Sequence, residues 1–253
     1  MELCSLIAVP RNLKEGIDWL MALRGTDDEN GLKAVSAVLY EFLAQQPVGL
    51  KRLRDLEDVK SVSHEFLLQP EFQDQPYVKD LVQRYTTPMN KDVGTFAKAF
   101  GDIAKSDYEN VLQTQGVNPE TIEEKLRKVV HGTEKFLNYI KNTRRYSRTY
   151  GSAATWASSC THDPELCAAI LVGMAPMLYA GLRYLNDAAA DAFLEGPDSV
   201  EEKRLVSVLE ALGYEGQQKR GKMRSSDIRN ALSGVDKDVL TVLYDLAGFW
   251  AFY

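Results

Sequence analysis

The sequence predicts an all-α protein, a multi-helix bundle of roughly eight to ten helices with a central apolar helix near residues 164–195. Three observations carry this. Apolar residues recur at three- and four-residue spacing nearly throughout. Ser, Asn or Asp caps open these stretches, and Gly or Pro closes them. No strand pair, hairpin turn signal or internal repeat is visible. The 253 residues suffice for one all-α domain, 1–253. Three prolines, Pro70, Pro76 and Pro88, mark a looser stretch that offers a subdivision into 1–88 and 90–253 as the alternative.

The first helix starts at Asn12, a cap whose third following residue is Glu15, a variant of the capping box. Leu13, Ile17, Leu20 and Met21 share one face, and Gly25 is the stop. A second helix runs from about Leu32 to Ala44 with Val35, Val38, Leu39 and Phe42 inward, and Pro47 ends it. A third covers Leu50 to Leu68, and a short one covers Tyr77 to Tyr85. The pattern Val93, Phe96, Ala97, Phe100 predicts helix over Asp92 to Ala104, and Ser106 with Glu109 reads as another capping box. Asn118-Pro119 opens the clearest helix, acidic at its start and basic at its end, as the helix dipole favours. Its apolar stripe is Ile122, Leu126, Val129, Val130, Thr133, Phe136, Leu137 and Ile140. Gly151 to Thr161 is small and polar and reads as a loop. Asp163-Pro164 opens the central helix and Gly196-Pro197 closes it. Ser199 with Glu202 opens the next helix, which stops at Gly213. A charged loop follows, and two helices, about Ser226 to Leu232 and Asp236 to Phe252, finish the chain.

The central stretch "CTHDPELCAAILVGMAPMLYAGLRYL" holds seventeen uncharged residues, Leu166 to Leu182. As a membrane span it reaches about 25 Å, just short of a hydrocarbon core. It contains Gly173, Pro176 and Gly181, and its helical pattern continues through Arg183, Asn186, Asp187 and Asp191. A helix apolar on all sides also belongs in the middle of a bundle. That reading is preferred, with no transmembrane span in the chain and a kink at Pro176. As a zinc site, Cys160, His162 and Cys167 lack a nearby fourth Cys or His, and Asp163 is better used as a cap, so no metal or cofactor is expected.

Composition is ordinary for a globular protein, 45% hydrophobic and 26% charged. The net charge of −6 argues against a nucleic-acid partner, and a mean hydropathy of −0.28 against a polytopic membrane protein. Three cysteines, Cys4, Cys160 and Cys167, exclude a disulfide-dense scaffold. "MELCSLIAVPR" lacks the basic leading segment of an ordinary signal peptide, so the chain is cytosolic, has lost a leader, or is exported by another route. Of the catalytic signatures sought, no H-E-x-x-H, P-loop, G-x-G-x-x-G or G-x-S-x-G occurs, and His64, His131 and His162 are scattered. Asp27-Asp28 and Glu123-Glu124 sit at helix starts, where carboxylates serve the dipole. A basic patch of Lys141, Arg144, Arg145 and Arg148 with Tyr146, and another of Lys219, Arg220, Lys222 and Arg224, read as a helix C-terminus and a solvated loop.

Three segments share a resemblance. "PRNLKEGIDWLMALRG" resembles the opening Pro-x-Asn-Leu-Lys-Glu-Ala-Ile-Asp-Trp motif of the Babesia variant erythrocyte surface antigen family and related piroplasm proteins. "CAAILVGMAPMLYAGLRYL" resembles the family's later Cys and small-residue helix with Pro-x-Leu-Tyr-x-Gly-Leu. "VLEALGYEGQQKRGKMRSSDIRNAL" resembles its Leu-Gly-Tyr segment with a lysine-containing loop and a short helix. The segments occur in the family's order and cover about a quarter of the chain.

The resemblance implies a non-enzymatic helical interaction module, exported to or displayed on the infected erythrocyte, as a soluble relative or a fragment of a larger ectodomain. Its partner is a host-cell or parasite protein, and its role lies in adhesion or antigenic variation. Trp19, Pro176, Tyr179 and Tyr214 are then scaffold residues, with binding on the loops. A helical carrier of lipid or another apolar ligand is the alternative, and it requires a cavity lined from Leu171 to Leu185. A thiol-dependent enzyme built on Cys4 or Cys167 requires an exposed cysteine beside a histidine. Maturation in an oxidising compartment, as for an exported protein, makes Cys160 and Cys167 a candidate disulfide; in the cytosol all three cysteines stay as buried thiols. On one straight helix the pair stands about 10 Å apart. Asp163-Pro164 starts the helix after Cys160 and leaves that residue on a loop able to fold back.

Overall fold

The computed structural model describes residues 2–25, 30–94, 103–141, 147–214 and 225–253. The longer helices among them are α1 (Leu13–Arg24), α2 (Asn30–Ala44), α3 (Arg54–Leu67), α4 (Pro76–Thr86), α5 (Pro119–Lys141), α6 (Pro164–Glu195), α7 (Val200–Ala211), α8 (Ser225–Ala231) and α9 (Lys237–Leu246). The described residues contain no strand, only an isolated parallel bridge between Leu3 and Tyr150. The protein is the all-α bundle that the periodicity predicts.

The caps hold the helix starts where the local pattern puts them. Asn12 accepts from the Glu15 amide at 2.9 Å, and the Glu15 carboxylate reaches back to the Arg11 amide at 2.8 Å. Asn118, Asp163, Ser199 and Asp236 each accept from the amide three residues on, at 2.9–3.1 Å.

Helix α6 is the axis. It touches α1, α2, α3, α4, α7, α8 and α9, while α5 lies outside, across α1, α2, α8 and α9. By length and composition α6 could cross a membrane, yet 83% of its most apolar window is buried inside the protein. Its small residues explain the close approach. A Cβ on Gly173 would stand 2.6 Å from Val59 Cγ1, and one on Gly16 of α1 would stand 2.8 Å from Leu178 Cδ2. Pro176 lies within the helix and takes one amide from its ladder. Nearby, the Ser63 hydroxyl of α3 donates to the Gly173 carbonyl. The apolar stripe of α5 is buried from Ile122 through Leu137; the side chain of Ile140 lies outside the described residues.

Five local expectations change. Helix α3 begins at Arg54 rather than Leu50, because the Gly49 and Lys51 amides donate to Trp250 and Ala251 carbonyls at 2.9 and 2.7 Å. Ser106 lies inside a 3-10 turn, Lys105–Asp107, and Asn110 caps the following turn Val111–Thr114 instead. Of the helix expected over 92–104, residues 92–94 and 103–104 are not helical and the remainder lies outside the described residues. The last helix breaks at Gly248, whose left-handed conformation (φ 64°) turns the chain into a separate turn, Phe249–Phe252. The Gly151–Thr161 loop also contains one helical turn, Trp156–Ser159, closed by a Thr155–Ser158 capping box.

Candidate functional site

The three segments that carry the resemblance are far apart in sequence and meet in space. Leu13, one residue past the Asn12 cap, closes over Gly181 of α6, where a Cβ would lie 3.2 Å from its own. The Lys14 amide donates to the Leu212 carbonyl at 3.0 Å. Gly213 has φ 94°, and a Cβ there would stand 2.6 Å from Asn12 Oδ1. Glycine is therefore required at 213 both by its backbone angle and by the cap beside it.

The named scaffold residues divide in two. Trp19 is fully buried, and its indole donates to the Leu6 carbonyl at 2.7 Å. Pro176 is buried inside α6. Tyr214 is buried edge-on against Phe136, with ring centroids 5.2 Å apart. Tyr179 is different: it is half-buried and points into a polar cleft.

That cleft encloses about 280 Å3 and is lined by Tyr77, Asp80, Arg84, Tyr179, Arg183 and Tyr244, among others. Arg183 stacks 4.0 Å over the Tyr77 ring and donates to the Tyr179 hydroxyl at 2.6 Å. Arg84 donates to Asp107 at 3.0 Å and to the Tyr244 hydroxyl at 2.6 Å, while Tyr244 donates to the other Asp107 oxygen at 2.6 Å. Lys91 donates to the Asp107 and Phe249 carbonyls, and burial pushes its ammonium down to about 8. Burial also raises the Tyr77 and Tyr244 phenols well above their ordinary value, so both stay protonated at neutral pH. The Arg84–Asp107–Tyr244 bonds tie α4, α9 and the 105–107 turn together, and the stacking of Arg183 on Tyr77 and the edge-on packing of Tyr179 against Tyr244 join α6 to them. Sequence reading missed it: Asp107 and Tyr244 are 137 residues apart, and neither belongs to a local motif.

A second structured region covers the N-terminus. Cys160 and Cys167 are joined in a disulfide with Cα atoms 5.8 Å apart. The Trp156–Ser159 turn brings Cys160 back over the first turn of α6. The bonded strap then holds residues 3–8: Leu3 exchanges backbone bonds with Thr149 and Gly151, the Leu6 amide donates to Ser159 Oγ at 3.0 Å, and Tyr150 donates to the Ala8 carbonyl at 2.6 Å. Both sulfurs are used in this bond, so neither is a thiolate ligand for zinc nor a nucleophile. Cys4 is the free, exposed thiol. Replacing Cys160 and Cys167 by Ser should cost about 2–3 kcal/mol, because the closed loop is short. Denaturant unfolding of the double variant checks this, and unreduced, denatured wild type should take up label at Cys4 alone. Labelling of three cysteines would overturn it.

The histidines do not gather. His64 stacks on Tyr85 with centroids 4.9 Å apart and is pushed down by burial, while His131 and His162 are exposed. Of the first basic patch, Arg148 is described, while 142–146 and the whole 219–224 patch lie outside the described residues. The stretch expected to line a carrier cavity, Leu171 to Leu185, packs its leucines into the core and meets the 280 Å3 cleft at Tyr179 and Arg183. The chain matches no known protein family, no curated protein and no solved structure.

Proposed function

We propose that the chain is a non-enzymatic helical interaction module of a piroplasm protein, exported to or displayed on the infected erythrocyte, with a role in adhesion or antigenic variation. The observation that carries this reading is the junction of the three resembling segments. Asn12, Leu13, Lys14 and Gly16 of the first meet Leu178 and Gly181 of the second and Leu212 and Gly213 of the third. The three segments, distant in sequence, thus form one packed junction. Their contacts are scaffold contacts, which leaves the surface loops to bind a host-cell or parasite protein.

Antibody localisation in infected red cells tests the reading. The protein is expected in the erythrocyte beyond the parasite boundary or at the red-cell surface. Confinement to the parasite cytosol would overturn it.

A further inference from the structure

The cleft among α4, α6 and α9 holds groups of both charges that the protein leaves partly unmatched. Its walls are joined by direct contacts. Tyr77 of α4 meets Tyr179 of α6 edge-on at 6.4 Å between ring centroids, and Tyr179 meets Tyr244 of α9 at 5.4 Å. Along α4, Tyr77, Asp80 and Arg84 follow at i, i+3 and i+7, which is one face of a helix. Asp80 and Arg84 are thus about one helical turn apart and line the same cleft.

The donors are not all used. Arg84 Nη2 is engaged by Asp107 and Tyr244, but the Arg84 Nε–H is buried without an acceptor. The Tyr77 phenol is likewise buried without a partner. Arg183 donates one N–H to Tyr179, and its Nε stands 4.0 Å from Asp187, beyond a hydrogen bond. A guanidinium has five N–H groups, so Arg183 keeps donors to spare. The acceptors are in the same condition. Asp80 and Asp245 line the cleft, and neither makes an ion pair among the described residues. Asp245 has Ser106 and Lys125 near it, and burial still raises its carboxyl above the ordinary range.

A simple anion would satisfy the arginines and face two carboxylates. A simple cation would do the reverse. A molecule carrying both an oxyanion and an ammonium satisfies both sets at once. The cleft encloses about 280 Å3, below the usual range for drug-sized ligands of about 300–1,000 Å3. We propose that it binds a small zwitterion, an α-amino acid or a molecule of the same charge pattern. The oxyanion would take the Arg84, Arg183 and Tyr77 donors, and the ammonium would take Asp80 and Asp245. An apolar remainder would lie along the tyrosine rings.

Titration calorimetry on the full chain tests this with two probes, L-phenylalanine and O-phosphocholine. Binding of phenylalanine points to a free amino acid, and binding of phosphocholine alone points to a lipid headgroup. Nα-acetylphenylalanine keeps only the oxyanion and phenethylamine only the ammonium; choline and inorganic phosphate divide phosphocholine in the same way. Each single-charge compound should bind about ten-fold more weakly than its zwitterion, because one set of cleft groups is left unpaired. Asp80→Asn changes an exposed side chain, and Tyr77→Phe removes one unpartnered hydroxyl, so both variants should melt no lower than wild type. Each should weaken zwitterion binding about ten-fold. Asp80→Asn should leave binding of the oxyanion-only compound as it is in wild type. The proposal is overturned if neither zwitterion binds at millimolar concentration, or if single-charge compounds bind equally well. It is also overturned if either variant binds the zwitterion as wild type does. The site is independent of where the protein is found, so the export reading and this one fail separately.

Discussion

Trp19→Ala should destabilise the protein by about 3–5 kcal/mol, the usual cost of deleting a buried aromatic side chain. Two physical losses combine. The indole is fully buried at the junction of α1 with the N-terminal segment, so its removal leaves a cavity. Its N–H is also the donor to the Leu6 carbonyl at 2.7 Å, and Leu6 is itself fully buried. Trp19→Phe separates the two. It keeps much of the ring volume but leaves that carbonyl without its partner, an expected cost of about 1–3 kcal/mol. Denaturant midpoints at constant slope measure both. Midpoints equal to wild type for Trp19→Ala would show that the indole does not hold the N-terminal segment to the bundle.

The parts of the fold legible in the sequence are those encoded within one helical turn. Asn12, Asn118, Asp163, Ser199 and Asp236 each cap a helix through the amide three residues ahead, and that spacing is visible without a structure. Ser106 with Glu109 has the same spacing and caps nothing, because Asn110 competes for the next turn and wins with amides of Leu112 and Gln113. Gly173 and Gly181 were readable as places of close approach, but not which helix approaches: Val59 reaches the first and Leu13 the second. Leu50 has the hydrophobicity of a helix start, yet the backbone around it bonds to Trp250 and Ala251, some two hundred residues later. The Arg84–Asp107–Tyr244 network was invisible for the same reason. Tyr179 shows the limit within a single motif. Its helix was legible, but its side chain leaves the junction and joins Tyr77, Tyr244 and Arg183 in the cleft.

The interior tyrosines predict a steep alkaline limit to stability. The chain has 12 tyrosines, and burial raises Tyr77, Tyr85, Tyr150, Tyr214, Tyr244 and Tyr253 above the ordinary phenol value of 10.0. A group whose folded-state pKa is raised holds its proton longer in the folded protein than in the unfolded chain. Its stabilisation is therefore complete below about pH 10 and is lost as pH rises from there toward the folded value. Of these six, Tyr150, Tyr214 and Tyr253 are the most fully buried, at 2–3% exposure. Each should cost about 1.4 kcal/mol per pH unit in this window, roughly 4 kcal/mol per unit for the three together. Lys91 works the other way: its charge is disfavoured in the fold, so stability rises as pH climbs from about 8 to 10.5 and the gain is kept above that. A domain of ordinary stability, about 5–15 kcal/mol, is then exhausted within a few pH units above 10. Tyrosinate absorbance and far-ultraviolet circular dichroism, followed together with rising pH, check this. The buried phenols should ionise in one cooperative step, together with loss of helix. Smooth ionisation of all twelve near pH 10 in a protein that stays helical would mean that these phenols are open to solvent.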